Sequence, residues 1–298
     1  MAILQVCAFA APTPGNFIPA ILEIQNKMKD KGIDTIYAFP ERAKDKPWCI
    51  DLQKTNKVYF LPEANARIKL LTYKIFKQIY KENKVEIIHS HFELYDIPAT
   101  ILASKGTKVF WHLHDALKEN YDKSGLLHKI LTKLQYGVFS KKATLLSVSQ
   151  EHAKFATELG FNKEKVEYVP NGINISRIKT DVIDNSRVKN QLLLFGWDVY
   201  RKGVNLIVEA VKDIKDDTLI IKIIGQKVCK EFLETHKNEG SNHIVYSKPV
   251  DDINALYAES LAFLHISRAE GLSYALLEVI YAGLPVICSD IPENRFAE

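Results

Sequence analysis

Long apolar runs are missing from this sequence of 298 residues. No stretch of about 18 apolar residues, the length that a membrane-spanning helix needs, is free of charge. A signal peptide, low-complexity segments and short internal repeats are absent as well. Because apolar residues still make up 47% of the chain, we expect a globular protein that is long enough for two domains and has no membrane span.

Cysteine and net charge are also scarce. The four cysteines are scattered without a C-x-x-C pair, which is typical of reduced thiols in a cytoplasmic protein. A formal net charge of +4 is too small to indicate a nucleic-acid-binding protein. We therefore expect a cytoplasmic protein with no nucleic acid partner.

What the sequence does contain is a regular alternation of short apolar runs and longer amphipathic stretches. Each run predicts a buried strand, and each stretch between two runs predicts a helix. Such alternation is typical of α/β folds with parallel sheets. The turn residues Pro-Asn-Gly at 170–172 stop the pattern, and the polar residues 174–190 that follow predict a linker.

Two predicted helices combine apolar and basic residues. The first spans residues 64–83 and the second residues 126–140. The predicted apolar stripe of the first helix is Ile68, Leu71, Ile75, Ile79 and Tyr80. The lysines opposite this stripe have two interpretations. They form either an ordinary solvated face or the basic face of a helix that lies on an anionic membrane surface.

Two predicted strands end in His-x-His pairs, which are His89 with His91 and His112 with His114. Both pairs should lie at the carboxyl edge of a parallel sheet, where ligand sites occur. Acidic residues that could join them are Glu93, Asp96 and Asp115. This set raises the hypothesis of a metal-dependent hydrolase. However, we expect the two histidines of a pair to point apart, and no H-E-x-x-H motif occurs, so we predict no metal site.

The stretch from Arg268 to Glu278 lies between a predicted strand at 261–266 and a predicted strand at 286–288. It places Glu270 in a loop and predicts a helix over 273–282, whose one charged residue is Glu278. A helix N-terminus suits a phosphate group, and a lone carboxylate on an apolar helix needs a partner. The pattern describes a sugar-nucleotide pocket; the alternative is a crossover helix whose glutamate pairs with a neighbouring lysine or arginine.

The spacing Glu270-x7-Glu278, followed by Ala-Gly-Leu-Pro-Val at 282–286 and Ser-Asp at 289–290, resembles the family 4 glycosyltransferases. The resemblance implies the GT-B fold, in which two Rossmann-like parallel-sheet domains face each other across a cleft. It places the hinge at 170–172, which gives an acceptor-side domain at 1–172 and a nucleotide-sugar-binding domain at 173–298. It implies a retaining transfer of sugar from a nucleotide-sugar donor to a glycan or lipid-linked acceptor in polysaccharide or glycoconjugate synthesis.

Individual roles follow from the same resemblance. Glu270 would hold hydroxyls of the donor sugar near the reacting carbon, and His114 would contact the sugar from the first domain. The loop 196–203 resembles the family's phosphate-binding loop, although two solvated cations explain its Arg-Lys pair equally well. The donor-binding set that the resemblance implies is Gly15, Gly196, Arg201, Lys202, Pro249, Val250, Gly271, Leu272, Ser273 and Glu278.

An Asp-x-Asp motif, which binds a metal-diphosphate group in the other large glycosyltransferase fold, is absent. The resemblance therefore implies a metal-independent enzyme without a cofactor. Peripheral contact with the inner face of the cell membrane would run through the basic helix 64–83. We expect cations and a helix N-terminus to take the place of a metal at the leaving diphosphate.

Two departures from the family pattern keep an alternative open. Trp197 stands where the family commonly has arginine, and the chain ends at Glu298, where family members usually continue. We expect an incomplete second domain with an uncovered apolar face. The alternative function is an inactive GT-B subunit that binds nucleotide or stabilises a partner.

Overall fold

Two parallel sheets, one in each half of the chain, organise the structure. The computed structural model describes residues 1–180, 190–250 and 252–297. The chain divides into two compact units, unit 1 from Met1 to Gly172 and unit 2 from Ile173 to Glu298. Each sheet is covered by the helices that connect its parallel strands, which confirms the predicted α/β fold with two Rossmann-like domains.

Unit 1 contains a seven-stranded sheet in the order β3-β2-β1-β4-β5-β6-β7. Its strands are β1 (Ala2–Cys7), β2 (Asp34–Pro40), β3 (Lys57–Leu61), β4 (Val85–His91), β5 (Lys108–Leu113), β6 (Ala143–Ser147) and β7 (Val166–Tyr168). Its helices are α1 (Phe17–Lys29), α2 (Pro47–Thr55), α3 (Leu70–Glu82), α4 (Asp96–Ile101), α5 (Leu117–Lys123), α6 (Leu126–Gly137) and α7 (Gln150–Glu158). All six residues of β1 are buried, as expected for a central parallel strand covered on both faces.

Unit 2 contains a five-stranded sheet in the order β10-β9-β8-β11-β12. Its strands are β8 (Gln191–Phe195), β9 (Ile220–Ile224), β10 (Ile244–Ser247), β11 (Ala262–His265) and β12 (Val286–Cys288). Its helices are α8 (Val204–Ala210), α9 (Lys227–Thr235), α10 (Asn254–Ala258) and α11 (Tyr274–Ala282). Apolar side chains of β8, β9 and β11 form its two core clusters with α8 and α11.

Both strand orders reverse direction at the first strand of the unit. In unit 1 the reversal falls between β1 and β4, and in unit 2 it falls between β8 and β11. Ligands of doubly wound sheets bind beside the carboxyl ends of the two strands at such a switch point. The loops after β1, β4, β8 and β11 are therefore the first places to look for a site.

The basic helix predicted at 64–83 is shorter than expected. It begins at Leu70, because residues 64–68 form turns in which Asn65 adopts a left-handed backbone with φ of 56°. The predicted stripe is wrong in part: Ile68 and Leu71 are 72% and 48% exposed, and the buried face of α3 contains Thr72, Phe76 and Ile79. The second basic helix, α6, ends at Gly137 rather than at residue 140.

Helices α2, α4, α5 and α9 were not predicted. Helices α4 and α5 have only six and seven residues, whereas α2 and α9 do carry apolar residues at helical spacing that the sequence analysis missed. Of the predicted linker at 174–190, residues 181–189 lie outside the described residues. Its first part forms a 3-10 turn, Ile175–Arg177. Among the described residues, no helix combines the length and the apolar character that crossing a bilayer requires.

Candidate active site

The switch point of unit 2 holds a buried ion pair. Lys202, in the loop after β8, places its Nζ atom against Oε1 of Glu270, in the loop after β11. Only 9% of Lys202 and 6% of Glu270 is exposed. Two opposite charges in such surroundings stabilise each other, and removal of either leaves an uncompensated buried charge. Lys202 is therefore not a solvated loop cation, and the structure brings together two of the residues that sequence reasoning assigned to the donor.

Three further side chains support Glu270, and the sequence analysis missed all of them. Nε2 of His265, the last residue of β11, lies 3.7 Å from Glu270 Oε1. The Ser267 side chain lies beside Glu270 and favours its ionised form, and the Asn294 side chain lies beside His265 and favours its protonated form. Burial tends to raise the pKa of Glu270, but the charge of Lys202 outweighs it and the pKa lies below its usual value. Burial lowers the pKa of His265 to about 4, so at neutral pH a neutral imidazole faces an ionised carboxylate.

Arg268 fastens the loop after β8 to the loop after β11. Its guanidinium donates to the backbone oxygen of Tyr200 and to Asn205 Oδ1, the latter at 2.9 Å. The same group stacks on the Tyr200 ring at 4.0 Å from the centroid. Its backbone nitrogen donates to Arg201 O at 2.8 Å. These contacts fix the position of Lys202 relative to Glu270.

Gly196 and Gly203 allow this loop to pack closely. A Cβ atom on Gly196 would lie 2.7 Å from Val204 Cγ2, and one on Gly203 would lie 2.6 Å from the backbone oxygen of Ile266. Gly203 also has a φ of 72°, which favours glycine. Packing alone therefore requires glycine at the predicted donor residue Gly196.

The remaining cation of the loop is accessible. Arg201 is half-exposed, and its Nε atom lies 3.8 Å from Asp198 Oδ2. Trp197 is exposed, with its ring centroid 5.7 Å from that of Phe195. An aromatic ring thus occupies the surface where the family commonly has a second fixed positive charge.

The N-terminus of α11 follows Glu270 directly. Gly271, Leu272 and Ser273 are buried, and Ser273 caps the helix by accepting a hydrogen bond from the Leu276 nitrogen at 3.4 Å. The N–H groups of the first turn and their partial positive charge can hold an anion.

One turn into α11, Glu278 is buried close to the Tyr257 side chain. Burial first, and then Glu278, raise the pKa of the Tyr257 hydroxyl. A tyrosine therefore lies beside this carboxylate, where the crossover-helix alternative expected a lysine or an arginine.

Pro249 and Val250 follow β10, the edge strand of the sheet, and β9 separates β10 from β8. Val250 is exposed and Pro249 is half-buried. Because all strands are parallel, both residues share the carboxyl edge with Lys202 and Glu270, but they lie two strands away from the ion pair.

The switch point of unit 1 holds the four histidines in a square. His89 and His91 lie with ring centroids 4.0 Å apart, as do His112 and His114. Across the strands, His89 Nε2 lies 3.1 Å from His112 Nδ1, and His91 Nδ1 lies 2.9 Å from His114 Nε2. The expectation that paired histidines point apart is wrong, because side chains two residues apart on a strand share a face.

Hydrogen bonds fix the protons of this square. His91 Nε2 lies 2.9 Å from Gln5 Oε1, and an amide oxygen only accepts, so His91 carries its proton on Nε2. His91 Nδ1 then accepts from Nε2 of His114. Burial lowers the pKa of His89 to about 3 and that of His112 to about 4, and it lowers the pKa values of His91 and His114 well below the usual range.

One metal-binding arrangement exists among the described residues. His89, His91 and His112 each offer a nitrogen within 4.8 Å of the other two. Neutral imidazoles are suitable ligands. Hydrogen bonds within the square and with Gln5 use one nitrogen of His89, both nitrogens of His91 and Nδ1 of His112, whereas Nε2 of His112 is buried without a hydrogen-bond partner in the described part of the chain.

Residues that follow β4 have an unusual backbone and buried carboxyl groups. Phe92 and Glu93 have left-handed φ values of 63° and 58°, which is costly for such side chains. Tyr136 donates to Glu93 Oε1 at 2.5 Å, and Ser90 donates to Asp96 Oδ1 at 2.5 Å. Burial raises the pKa of Glu93 to about 7 and that of Asp96 to about 6.

Gly15 lies in the loop after β1, at the same switch point. It has a φ of 53°, and a Cβ atom there would meet nothing within 4 Å, so the loop surface is open. A cavity of about 680 Å³ lies at the opposite, amino edge of the sheet, around Val85 and Lys108. Because parallel sheets bind ligands at their carboxyl edge, we do not assign the donor site to this cavity.

Comparisons with known proteins agree with this geometry. A family model described as Glycosyltransferase Family 4 matches residues 20–177, and one described as Glycosyl transferases group 1 matches residues 180–295. Over 192 residues the chain is 24% identical to the lipopolysaccharide glucosyltransferase WaaG of Escherichia coli K12, which covers 56% of this chain and 51% of WaaG. Over 235 residues it is 23% identical to the capsular polysaccharide biosynthesis glycosyltransferase CapH of Staphylococcus aureus, which covers 74% of this chain and 63% of CapH.

Solved structures show the same fold. The Anabaena protein Alr3699/HepE, crystallised with UDP and glucose, superimposes with a TM-score of 0.75 at 16% identity, covering 100% of this chain and 83% of that one. The crystal structure of WaaG superimposes with a TM-score of 0.74 at 17% identity, covering 99% and 83%. The strand order, the Lys202–Glu270 pair at the second switch point and the two family matches lead to one identification: this chain belongs to glycosyltransferase family 4.

Proposed function

We propose that this protein transfers a sugar from a nucleotide-diphosphate donor to a glycan or lipid-linked acceptor, with retention of configuration and without a metal. The observation that carries the proposal is the buried Lys202–Glu270 pair at the unit 2 switch point, beside the N-terminus of α11. A cation, a helix terminus and a carboxylate at one place suit a leaving diphosphate and a sugar bearing hydroxyls.

The donor would lie along the carboxyl edge of the unit 2 sheet. Its diphosphate would accept hydrogen bonds from the first turn of α11, Lys202 and Arg201. Glu270 would accept hydrogen bonds from sugar hydroxyls, and Glu278 would hold the nucleotide ribose. Backbone groups near 249–250 would contact the base.

Unit 1 would supply the acceptor side, with His114 contacting the donor sugar and Gly15 close to a substrate. Because His114 is neutral at neutral pH and receives its orientation from His91, it would act as a hydrogen-bonding group rather than as a charge. Retention would then depend on the leaving diphosphate and on Glu270.

UDP-glucose is the first donor to test, because HepE was crystallised with UDP and with UDP-glucose. Relatives named for lipopolysaccharide and capsular polysaccharide synthesis suggest a cell-surface glycan as the acceptor. A cytoplasmic location with peripheral contact at the inner face of the membrane, through the basic residues 64–83, completes the proposal.

A panel of nucleotide sugars in a thermal-shift assay tests donor binding, because a ligand that binds the folded state raises its apparent stability. Acceptor-free hydrolysis of the best donor then tests turnover. We expect a raised melting temperature with one nucleoside diphosphate and slow release of free sugar. Binding without any hydrolysis or transfer would favour the inactive subunit, for which exposed Trp197 in place of an arginine is the specific argument.

A further inference from the structure

Three histidines of the square lie on two neighbouring strands in positions that suit a metal ion. His91 of β4 and His112 of β5 are paired across the sheet, and His89 precedes His91 by two residues, so its side chain points to the same face. One nitrogen from each of the three rings lies within 4.8 Å of the other two. Because strands hold side chains more precisely than loops do, the three ligands would be in position before an ion arrives.

The spacing between His89 and His112 is close to that of two ligands on one zinc ion. Nε2 of His89 lies 3.1 Å from Nδ1 of His112. Two imidazole nitrogens at about 2.0–2.1 Å from a tetrahedral zinc ion lie about 3.3 Å from each other. An ion could therefore replace the proton between these nitrogens if the rings separate by about 0.2 Å and the proton moves to the other nitrogen of its ring. His112 would lose no other hydrogen bond, because among the described residues its buried Nε2 atom has no partner.

Gln5 decides which nitrogen of His91 would bind the ion. Nε2 of His91 donates its proton to Oε1 of Gln5 at 2.9 Å, and Gln5 is fully buried in β1. Only Nδ1 of His91 therefore has a lone pair for a metal. A metal-binding histidine usually donates its other N–H to a fixed acceptor, which orients the ring and raises its basicity. Gln5 is such an acceptor.

The same Nδ1 atom of His91 holds His114 in place. It accepts a hydrogen bond from Nε2 of His114 at 2.9 Å. A lone pair that binds an ion cannot accept this hydrogen bond at the same time. Metal binding at His91 and the observed orientation of His114 therefore exclude each other.

We propose that His89, His91 and His112 bind one divalent transition-metal ion, with zinc as the first candidate, and that the ion inhibits transfer by releasing His114. Imidazole ligands suit zinc, nickel and copper, whereas magnesium, calcium and manganese prefer oxygen ligands. The site goes beyond the proposed function, but the inhibition rests on it, through the proposed contact of His114 with the donor sugar. The transfer step itself stays independent of metal.

This site takes the place of the sequence-based prediction of no metal site. That prediction relied on paired histidines that point apart, and the side chains of His89 and His91 share a face instead, with ring centroids 4.0 Å apart. The second reason, the missing H-E-x-x-H motif, concerns ligands on a helix. It does not bear on ligands that two parallel strands provide.

Isothermal titration calorimetry of the untagged full chain with zinc chloride tests the site. The protein is first dialysed against EDTA and then against metal-free buffer. We expect one zinc ion per chain, and at least about 100-fold weaker binding of magnesium, which prefers oxygen ligands. Absence of saturable zinc binding overturns the proposal.

A double variant locates the ion. His89→Gln with His112→Gln removes two of the three ligands and should weaken zinc binding at least about 100-fold. The matched control is His128→Gln with His236→Gln, which removes two exposed histidines outside the square and should bind zinc as the wild type does. Zinc that binds the first variant as tightly as it binds the wild type lies elsewhere on the chain, which contradicts the site.

NMR spectra of the histidine rings in the wild type give a readout that needs no variant. Zinc should shift the ring-nitrogen signals of His89, His91 and His112, because a metal on a nitrogen changes its shielding. The proton on Nε2 of His91 should remain, since it faces Gln5 and not the ion. Unchanged ring signals at saturating zinc, or loss of the His91 Nε2 proton, would show that the ion is not bound as proposed.

Turnover of UDP-glucose with and without zinc tests the inhibition. One equivalent of zinc should lower the rate at least tenfold, and excess EDTA should restore it. Each variant is compared with its own rate in EDTA: the His89→Gln, His112→Gln variant should lose the inhibition, and the control variant should keep it. Unchanged turnover at saturating zinc would contradict the release of His114.

Failure of the metal site and failure of the proposed function give different results. A chain that binds one zinc ion in the square but neither binds nor turns over a nucleotide sugar refutes only the transfer function. A chain that turns over UDP-glucose but binds no zinc refutes only the metal site.

Discussion

The Lys202–Glu270 pair has no net charge of its own at neutral pH, which has a consequence for the proposed donor site. A diphosphate bound at α11 would share the ammonium of Lys202 with the carboxylate that already pairs with it. Arg201 and the helix terminus would then supply the remaining attraction. Lys202 should therefore affect donor affinity in two ways: it would contact the diphosphate, and it holds Glu270 in place.

Lys202→Ala should weaken binding of UDP, or of whichever nucleoside diphosphate the panel selects, by about 1.5–3 kcal/mol, the size of a charge-assisted contact. Isothermal titration calorimetry measures this change. Lys212→Ala is the matched control, because Lys212 lies in the same unit and its partner Glu209 is exposed. Equal nucleotide affinity in the wild type and the Lys202 variant would remove Lys202 from the site.

Glu270→Gln and Glu278→Gln should differ in their kinetics. We expect the Glu270 variant to lower kcat by about 100-fold, because the carboxylate would interact most strongly with the sugar as charge develops. The Glu278 variant should instead raise the donor KM by about tenfold, the loss of one hydrogen bond to a charged group. Steady-state kinetics with UDP-glucose distinguish the two, and wild-type values for both variants would place the pocket elsewhere.

Sequence reasoning selected Lys202 and Glu270 but assigned them separate roles. The two residues are 68 positions apart, and their contact depends on β8 lying beside β11, which no local pattern states. The sequence analysis missed His265 and Asn294 for the same reason. Each is ordinary in its own segment and becomes significant only where β11 ends beside Glu270.

At the scale of elements, strands were easier to predict than helices. Strand β12 has the predicted limits 286–288, and β11 differs from the predicted 261–266 by one residue at each end, because each strand is a continuous apolar run. Helix α3 was predicted seven residues too long, six at its start and one at its end, since the exposed apolar residue Ile68 continued its periodicity before Leu70. Periodicity shows that a face is apolar, but it does not show whether protein, lipid or water covers that face.

The histidine square on β4 and β5 should make unit 1 sensitive to acid. In the unfolded chain each histidine binds a proton below about pH 6.5, whereas the folded square stays neutral to about pH 4. The unfolded state therefore binds more protons in this window, and stability falls as the pH falls. Glu93 and Asp96 act in the opposite direction, because their raised pKa values of about 7 and 6 keep protons on the folded state.

Four imidazoles against two carboxyl groups leave a net loss of up to about 3 kcal/mol per pH unit between pH 6 and pH 4.5, since each proton contributes about 1.4 kcal/mol. Urea unfolding at several pH values measures this slope. His112→Gln should reduce the slope by about 1.4 kcal/mol per pH unit, the contribution of one proton. His236→Gln, at an exposed position of unit 2, should leave the slope unchanged. A slope that is flat or of opposite sign in the wild type would show that the square is protonated when folded.

At the scale of the whole molecule, the division into two units predicts two unfolding steps. Each unit has its own sheet and its own apolar clusters, so each should melt cooperatively. UDP should raise the transition of unit 2 and leave that of unit 1 unchanged, because the proposed diphosphate contacts all lie in unit 2. Differential scanning calorimetry with and without UDP measures both; a single transition, or a shift of the unit 1 transition alone, would contradict this assignment.

Transfer activity should survive excess EDTA. The reason is that Lys202, Arg201 and the N-terminus of α11 would provide positive charge where a metal would otherwise bind the diphosphate. Turnover of UDP-glucose before and after dialysis against EDTA measures the effect. Complete loss of activity that zinc or manganese restores would instead support the metal hypothesis, and loss of that recovery in His89→Ala would locate the ion in the histidine square.

The position of β1 in the middle of its sheet also has a consequence for synthesis. β1 can pair with β2 soon after both are made, but its other neighbour, β4, ends about 80 residues after β1 does. At a translation rate of about 5–20 residues per second, the nascent chain would carry an open, apolar strand edge for about 4–16 s. An unpaired edge of this kind is a template for association with other chains. The yield of folded protein should therefore depend on translation speed and on whichever chaperone covers β1 during that interval.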